Sequence, residues 1–286
     1  MGSGPRAVAH GMQNMDALRA LLAERADGDV VAWADHAEVM RRFGLDCPSA
    51  EEAILSAGFL PARYRRNRQT ISTELQLRLH RSTVAVVGCG GLGGYVIEEL
   101  ARLGIGRLVA IDPDAFEEHN LNRQLLSSPA AIGQSKAQAA ERRVADINPG
   151  IVVRPVEVAF SPETAADSFG GVDVVVDAAD SVPIRLQLAD ACSQLKIPLV
   201  HGAIAGWYGQ VCTVMPGDET LRHLYGRGSE PKGVEVVLGN PSFTPAVVAS
   251  FEAAEVCKIL LEQGCLLRNQ ILVIDLLHME VDHIRF

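Results

Sequence analysis

Gly88, Gly90 and Gly93 form a G-x-G-x-x-G run directly after the apolar stretch Val84–Val87, with Gly91 and Gly94 as further glycines. Such spacing supplies a tight turn, close backbone approach to a ligand and tight helix–strand contact, and the helix that follows aims its N–H groups at anionic groups. Asp112 closes the next apolar stretch, where a carboxylate accepts from ribose hydroxyls in nucleotide-binding sheets. Asn120, Arg123 and Gln124 then lie within N-L-N-R-Q, and Lys136 follows Gly133. A planar guanidinium fork, a compact ammonium and amide donors suit β- and γ-phosphate oxygens or departing pyrophosphate. Further on, Asp177-Ala-Ala-Asp180 closes another apolar stretch. Asp180 there has the chemistry to hold Mg²⁺ against phosphate oxygens, whereas Asp177 still belongs to the strand and reads as structural. Together these residues predict chemistry at a nucleoside triphosphate.

These groups need a sheet to hold them. Apolar strands are expected at Val84–Val87, Arg107–Ile111, Val152–Val158, Val172–Asp177 and Pro198–Val200, alternating with helices over Gln134–Ile147 and Pro183–Leu195. This alternation predicts an α/β, Rossmann-like, doubly wound and mostly parallel sheet. Gly209–Met215 reads as a strand with no crossover helix before it, so the sheet turns antiparallel there. A long loop carrying Gly226, Gly228, Pro231, Gly233, Gly239 and Pro241 reads as a lid, followed by a helix at Ala246–Leu261 and strands at Ile271–Leu276 and Glu280–Ile284. Before the α/β part, residues 1–62 form a small helical extension, and residues 63–286 form the nucleotide-binding domain. The opening MGSGPRAVAHGM is expected to lack structure, residues 13–60 to be helical, Ser49 and Glu52 to box the start of a helix running to Leu60, and a helix to cover Ser72–His80.

The bulk composition narrows the partners. The 286 residues are 48% hydrophobic and only 5% aromatic, so the core is aliphatic. A formal charge of −9 argues against a nucleic-acid partner, although Arg63, Arg65, Arg66 and Arg68 lie close together. There is no apolar run near the roughly 20 residues that span a bilayer, so no membrane role is expected. Six cysteines without a C-x-x-C pair suit a reduced, cytoplasmic setting.

The ordered set R-Y-x(n)-R-Q (Arg63, Tyr64, Arg68, Gln69), G-C-G-G-L-G (88–93), D-x-D (Asp112, Asp114), N-L-N-R-Q (120–124), G-x-x-K (Gly133, Lys136), D-x-x-D-S (177–181), P-L-V-H-G (198–202) and G-Q-V (209–211) resembles the ThiF/MoeB/HesA family, bacterial relatives of ubiquitin-activating enzymes. The resemblance runs from Arg63 to about Phe286. It implies an adenylyltransferase that binds ATP and Mg²⁺, with adenosine near Gly91 and Asp112, the triphosphate at Asn120, Arg123 and Lys136, and the metal at Asp180. It also implies, as a partner, a small ubiquitin-like sulfur-carrier protein whose C-terminal Gly-Gly carboxylate becomes an acyl-adenylate as pyrophosphate leaves. Arg68 matches the arginine that family members send into the neighbouring subunit, which implies a homodimer; Arg66 is the other candidate for that reach.

The chain departs from the family pattern in places. The C-x-x-C pairs that bind structural zinc in many members are absent, L-R-H-L (221–224) standing at the first, so no zinc is expected and His223 reads as a loop histidine. Ser181 stands where an Asn is frequent and still offers a hydroxyl. Of the cysteines, Cys89, Cys192, Cys212 and Cys257 sit in unreactive settings and Cys265 near a helix end, which favours adenylation without a thioester. The glycine fingerprint alone also fits an NAD(P)-dependent oxidoreductase, and the fold alone fits a non-catalytic partner protein. The oxidoreductase leaves the Arg123/Lys136 cluster idle. Binding titrations should therefore show preference for ATP over NADH; tighter binding of NADH would overturn the triphosphate reading.

Overall fold

The computed structural model describes residues 5–226 and 235–286. Helix α1 (Pro5–Arg25) is followed by strand β1 (Val30–Val31), helices α2 (Trp33–Phe43) and α3 (Cys47–Ser56), and strand β2 (Leu60–Pro61), which pairs parallel with β1. The opening segment is thus helical from Pro5 rather than structureless, a proline being suited to a first helical turn. Helix α3 starts two residues before Ser49. Its N-cap is Asp46, whose side chain accepts the Ser49 N–H at 2.9 Å, and Pro48 lies in the first turn. The helix also stops at Ser56, short of Leu60, because Gly58 turns the chain at φ 90° and frees Leu60 to pair with β1. Leu18, Leu21, Leu22, Val31, Val39, Ala50 and Ile54 close a small core of their own.

Glu51 joins this extension to the rest. It is fully buried, accepts the Tyr64 hydroxyl at 2.6 Å and pairs with Arg63 at 3.1 Å. A buried carboxylate without such partners would be costly, so Glu51 requires the Arg63–Tyr64 turn to stay where it is. Asn148 extends the link, donating to the Tyr64 hydroxyl at 2.8 Å.

The α/β part begins with α4 (Thr73–Arg81), whose N-cap Ser72 accepts the Leu75 N–H. Then come β3 (Thr83–Val87), α5 (Gly91–Leu103), β4 (Arg107–Ile111), α6 (Lys136–Ile147), β5 (Val152–Val156), α7 (Ala165–Ser168), β6 (Val174–Asp177), α8 (Val182–Leu195) and β7 (Leu199–Ala205). The chain continues through β8 (Tyr208–Val214), α9 (Thr220–Tyr225), α10 (Glu235–Leu238), α11 (Phe243–Leu261), β9 (Gln270–Asp275) and β10 (Glu280–Arg285). The main sheet has the order β10-β9-β8-β7-β6-β3-β4-β5. Its β7-β6-β3-β4-β5 part is parallel, and β8, β9 and β10 run antiparallel, as the missing crossover after residue 202 foretells. Alternation sorts the strand residues. Val84, Val86, Val174 and Val176 meet α4, α5, α6 and α11, while Ala85, Val87 and Val175 meet α7, α8 and α9. The expected lid contains α10, which shortens it; Gly228, Pro231 and Gly233 lie outside the described residues.

One core residue breaks the apolar rule. Glu252 of α11 is fully buried against Gly202, and neither carboxyl oxygen has a hydrogen-bond partner among the described residues. Burial pushes this carboxyl well above the usual carboxylate range; Asp177 and Glu99 add to the effect and Arg185 opposes it. The folded chain therefore keeps this proton to a higher pH than the unfolded chain does. With a raised folded pKa, the group's stabilising contribution is complete below the ordinary carboxylate range and is lost as pH rises toward the raised value. Glu252→Gln removes that dependence. The difference in Tm, variant minus wild type, should widen as pH rises above the ordinary carboxylate range, by roughly 2–4 °C per kcal/mol. A difference that stays flat or narrows with rising pH would mean an ionised Glu252.

Candidate active site

The strand order places the site. From β3 the chain moves through β4 to β5 on one side, then crosses to β6 and β7 on the other. The loops leaving β3 and β6 diverge, and a crevice opens outside the carboxyl ends of the strands. A cavity of about 440 Å³ lies there. Its nearer wall is Gly88, Gly90, Gly91, Asp112, Asp114, Arg123, Gln124 and Lys136; its far wall includes Asp180, Arg185, Gly202, Ile204 and Asn240.

The glycine turn is sterically dictated. Gly88 has φ 97°, a region closed to most side chains, and a Cβ there would meet the Ala178 carbonyl oxygen at 2.5 Å. A Cβ on Gly93 would fall on the Gly88 carbonyl. Gly91 faces the Arg123 side chain, which a Cβ would meet at 3.5 Å, an ordinary van der Waals contact. Asp112 follows β4 immediately and staples the turn: its Oδ2 accepts the Cys89 N–H at 2.7 Å and its Oδ1 accepts the Asp114 N–H at 2.8 Å. Burial pushes the Asp112 carboxyl up, while Lys136 and the two N–H donors pull it back.

The cations converge beside it. Lys136 opens α6, is buried, and donates from Nζ to Asp114 Oδ2 at 3.0 Å. Arg123 is half-buried and donates to Asn122 Oδ1 at 2.9 Å and the His119 carbonyl at 3.3 Å. It has no carboxylate partner among the described residues, and burial alone lowers its pKa. Gln124 is buried with its Oε1 unpartnered among the described residues. Asp180 is exposed at the cavity wall.

Several expected residues stand apart from the cavity wall. Asn120 is buried and caps its own turn, its Oδ1 accepting the Glu117 N–H at 2.9 Å. Gly93 packs under Gly88. Ser181 is the N-cap of α8 without a side-chain cap bond. Arg68 lies on the surface in an ion pair with Asp29 at 2.7 Å, and Arg66 is exposed. His223 sits on α9 rather than in a loop, its ring 5.9 Å from that of Phe286. Cys47, Cys89, Cys192 and Cys212 are buried, and Cys265 is exposed. Burial pushes the Cys192 thiol to about 12 and the Cys257 thiol to about 11.

Sequence reasoning missed a polar chain beneath the far wall. Asp177 Oδ2 accepts from His201 Nδ1 at 2.7 Å. His201 Nε2 then accepts the Tyr225 hydroxyl at 3.0 Å, and that hydroxyl accepts from Arg185 at 2.9 Å and Gln210 at 2.5 Å. Burial lowers the His201 pKa, with Asp177 opposing, so the imidazole is neutral and its Nδ1–H tautomer is set. The visible signal was the histidine inside an otherwise apolar strand, PLVHG. Asn240 was also missed; its Asn-Pro pair follows a glycine and reads as an ordinary turn.

Residues 64–286 match the ThiF family. The chain is 37% identical over 228 residues to the SAMP-activating enzyme E1 of Haloferax volcanii, covering 78% of this chain and 84% of the relative. It is 36% identical over 215 residues to the sulfur carrier protein adenylyltransferase of Thermus thermophilus, covering 72% and 79%. With the mouse adenylyltransferase and sulfurtransferase MOCS3 it shares 34% identity over 235 residues, which is 80% of this chain but only 50% of that protein. Among solved structures, E. coli MccB with ATP superposes with a TM-score of 0.64 at 24% identity, covering 78% of this chain and 71% of MccB. PaaA gives 0.67 at 20%, covering 78% and 82%. These two likenesses bear on the fold.

The steric contrast within the glycine turn is testable by thermal melting. Gly93→Ala should lower Tm strongly, because the Gly88 carbonyl must move. Gly90→Ala should be tolerated, since its Cβ would meet Gln124 Nε2 at 3.5 Å, an ordinary van der Waals contact. Equal losses for the two variants would overturn this account of the turn.

Proposed function

The chain belongs to the ThiF family, and from that premise we propose that it is an ATP-dependent adenylyltransferase that activates the C-terminal glycine carboxylate of a small ubiquitin-like sulfur-carrier protein. The observation that carries this reading is Arg123: a half-buried cation without a carboxylate partner among the described residues, on the same wall as Lys136. A triphosphate supplies the missing anion. Lys136 gives one of its three N–H donors to Asp114, which leaves two for phosphate oxygens. Each Asp112 oxygen accepts one backbone N–H and keeps a second lone pair for a ribose hydroxyl.

The reaction joins a carboxylate oxygen to the α-phosphorus. The bond from that phosphorus to the β-bridging oxygen breaks, and its electron pair leaves with pyrophosphate. A carboxylate is already the nucleophile, so no general base is needed, and the residues contribute positioning and charge stabilisation. Cys192 and Cys257 suit this course, since burial keeps their thiols protonated.

Mg²⁺ would be held from the opposite wall of the cavity. No group of three or more His, Cys, Asp or Glu side chains is gathered among the described residues, so the chain offers no cage of its own there. Mg²⁺ needs none: it takes one or two carboxylates and completes its shell with phosphate oxygens and water. Asp180, exposed at the cavity wall without an ion pair among the described residues, supplies that carboxylate. Asn120 serves by fixing the turn that carries Arg123. In the homodimer, Arg66 or Arg68 reaches the neighbouring subunit's site; the exposure of both supports this.

Lys136→Ala and Asp180→Ala should each reduce ATP–pyrophosphate exchange on the order of 10²–10³-fold without unfolding the chain, as loss of a transition-state charge contact does. Full activity in either variant would overturn the assignment of that residue. Subunit sharing has its own readout. Lys136→Ala mixed with Arg68→Ala should recover about a quarter of wild-type exchange, because half of the dimers are mixed and each holds one intact site. No recovery, with Arg68→Ala inactive alone, would place Arg68 in its own subunit's site; an active Arg68→Ala would remove it from the reaction.

A further inference from the structure

The turn that carries Asp180 is tied down, while the Asp180 side chain is not. Ala178 N–H donates to the Val87 carbonyl at 2.9 Å, and Ala179 N–H donates to Asp177 Oδ1 at 3.1 Å. The Ala179 carbonyl accepts from Arg185 twice, from Nε at 3.2 Å and from Nη2 at 2.9 Å. Asp180 follows directly, exposed at the cavity wall and without an ion pair among the described residues.

These bonds belong to a closed ring. Arg185 Nη1 donates to the Tyr225 hydroxyl at 2.9 Å, the hydroxyl donates to His201 Nε2 at 3.0 Å, and His201 Nδ1 donates to Asp177 Oδ2 at 2.7 Å. Asp177 Oδ1 then returns to the Ala179 N–H. The hydroxyl fixes the direction of the whole circuit, because it has two acceptor sites and one hydrogen. Arg185 and Gln210 fill the acceptor sites, so the hydrogen goes to His201 Nε2, and His201 keeps its own on Nδ1 for Asp177. Burial pushes the Tyr225 hydroxyl up to about 12, so that hydrogen stays in place. The buried charges of Arg185 and Asp177 are thus joined through two neutral groups. β6, β7, α8 and α9 all bring buried polar groups to the Ala179 peptide, and the next residue is the unpaired acid of the cavity wall.

We propose that Tyr225 is a positioning residue for adenylation: acting through Arg185, its hydroxyl holds the Ala179 peptide and so sets where Asp180 presents its carboxylate to Mg²⁺. This rests on the adenylation reading above, with Asp180 as the metal's carboxylate, and adds a residue outside the cavity that fixes it. A ligand carboxylate whose outer partners are removed holds its metal less well. Tyr225 also packs by its ring, which meets the His201 ring edge-on with 5.7 Å between centroids and lies 5.5 Å from the Arg185 guanidinium carbon. Tyr225→Phe therefore opens the hydrogen-bonded ring and keeps this packing.

The test is titration calorimetry of the full chain with ATP, in Mg²⁺ and in EDTA, with no acyl substrate and so no turnover. The gain in ATP affinity that Mg²⁺ gives should fall about tenfold in Tyr225→Phe. It should fall about as far in Asp180→Ala and no further in the double variant, as for residues that act through one another. ATP affinity in EDTA should be unchanged. Ile271→Ala, which cuts the same apolar cluster from β9, should lower Tm and leave the gain intact. If Tyr225→Phe does not fold, Arg185→Lys breaks the same ring with a cation retained and is held to the same expectation. A wild-type gain in Tyr225→Phe, an equal loss in Ile271→Ala, or additive losses in the double variant overturns the positioning role and leaves adenylation standing. Wild-type chain that fails to bind ATP, or binds it without regard to Mg²⁺, overturns the metal reading and this inference with it.

Discussion

Gly93 has no side chain because the Gly88 carbonyl occupies that volume, and the rest of the site follows from this contact. It sets how closely α5 approaches the end of β3, and so where the first N–H groups of α5 point. The same turn presses Gly88 on the Ala178 carbonyl, which joins the ends of β3 and β6 where their loops part. Any side chain at Gly88 or Gly93 would wedge the two strand ends apart. Asp112 then locks the turn from β4 through the Cys89 N–H. Three adjacent strands thus converge on a few backbone atoms, and the cavity is the space their loops leave behind.

Four buried acids of the chain are neutralised in four different ways. Asp112 is held by backbone N–H groups, Asp177 by the Nδ1–H of a neutral histidine, Glu51 by Arg63 and Tyr64, and Glu252 by retaining its proton. Buried charge is stable only where such partners are fixed, so each solution also fixes its surroundings. Tyr225 shows the effect: His201, Arg185 and Gln210 meet on its hydroxyl, which ties α9 to the cavity floor. Dipoles anchored in this way need no reorganisation when charge moves during a reaction.

The parallel strands, the antiparallel turn after Gly202 and the nucleotide wall were legible because each rests on local pattern. Apolar runs bounded by glycine and aspartate mark β3, β4 and β6 within a residue or two, and Arg107–Ile111 matches its strand at both ends. Ranges slipped where side chains outside the pattern intervene. Asp46 rather than Ser49 caps α3, because Pro48 fills the first turn and leaves the carboxylate to take the Ser49 N–H. Asn120 looked ligand-facing from its motif, yet a short side chain beside a tight turn bonds its own backbone first. The Glu51 cluster and the His201–Tyr225 chain were hard to read for another reason: their partners lie 12 or more residues away and carry no spacing rule.

The two walls of the cavity also differ in kind, which explains why only one of them could be read from residue types. The proposed reaction brings two anions together on a chain with a formal charge of −9, so the nucleotide wall must supply cations, and Arg123 and Lys136 do. More cations opposite them would hold the carboxylate back from phosphorus by binding it in its ground state, which lowers KM without speeding the step. The far wall avoids this: its Arg185 is held by the Ala179 carbonyl and the Tyr225 hydroxyl, and beside it stand strand edge, glycine and small apolar residues. Gly202, Ala203 and Ile204 have no side chain that signals a ligand wall, and the partners that hold Arg185 follow no spacing that a sequence announces.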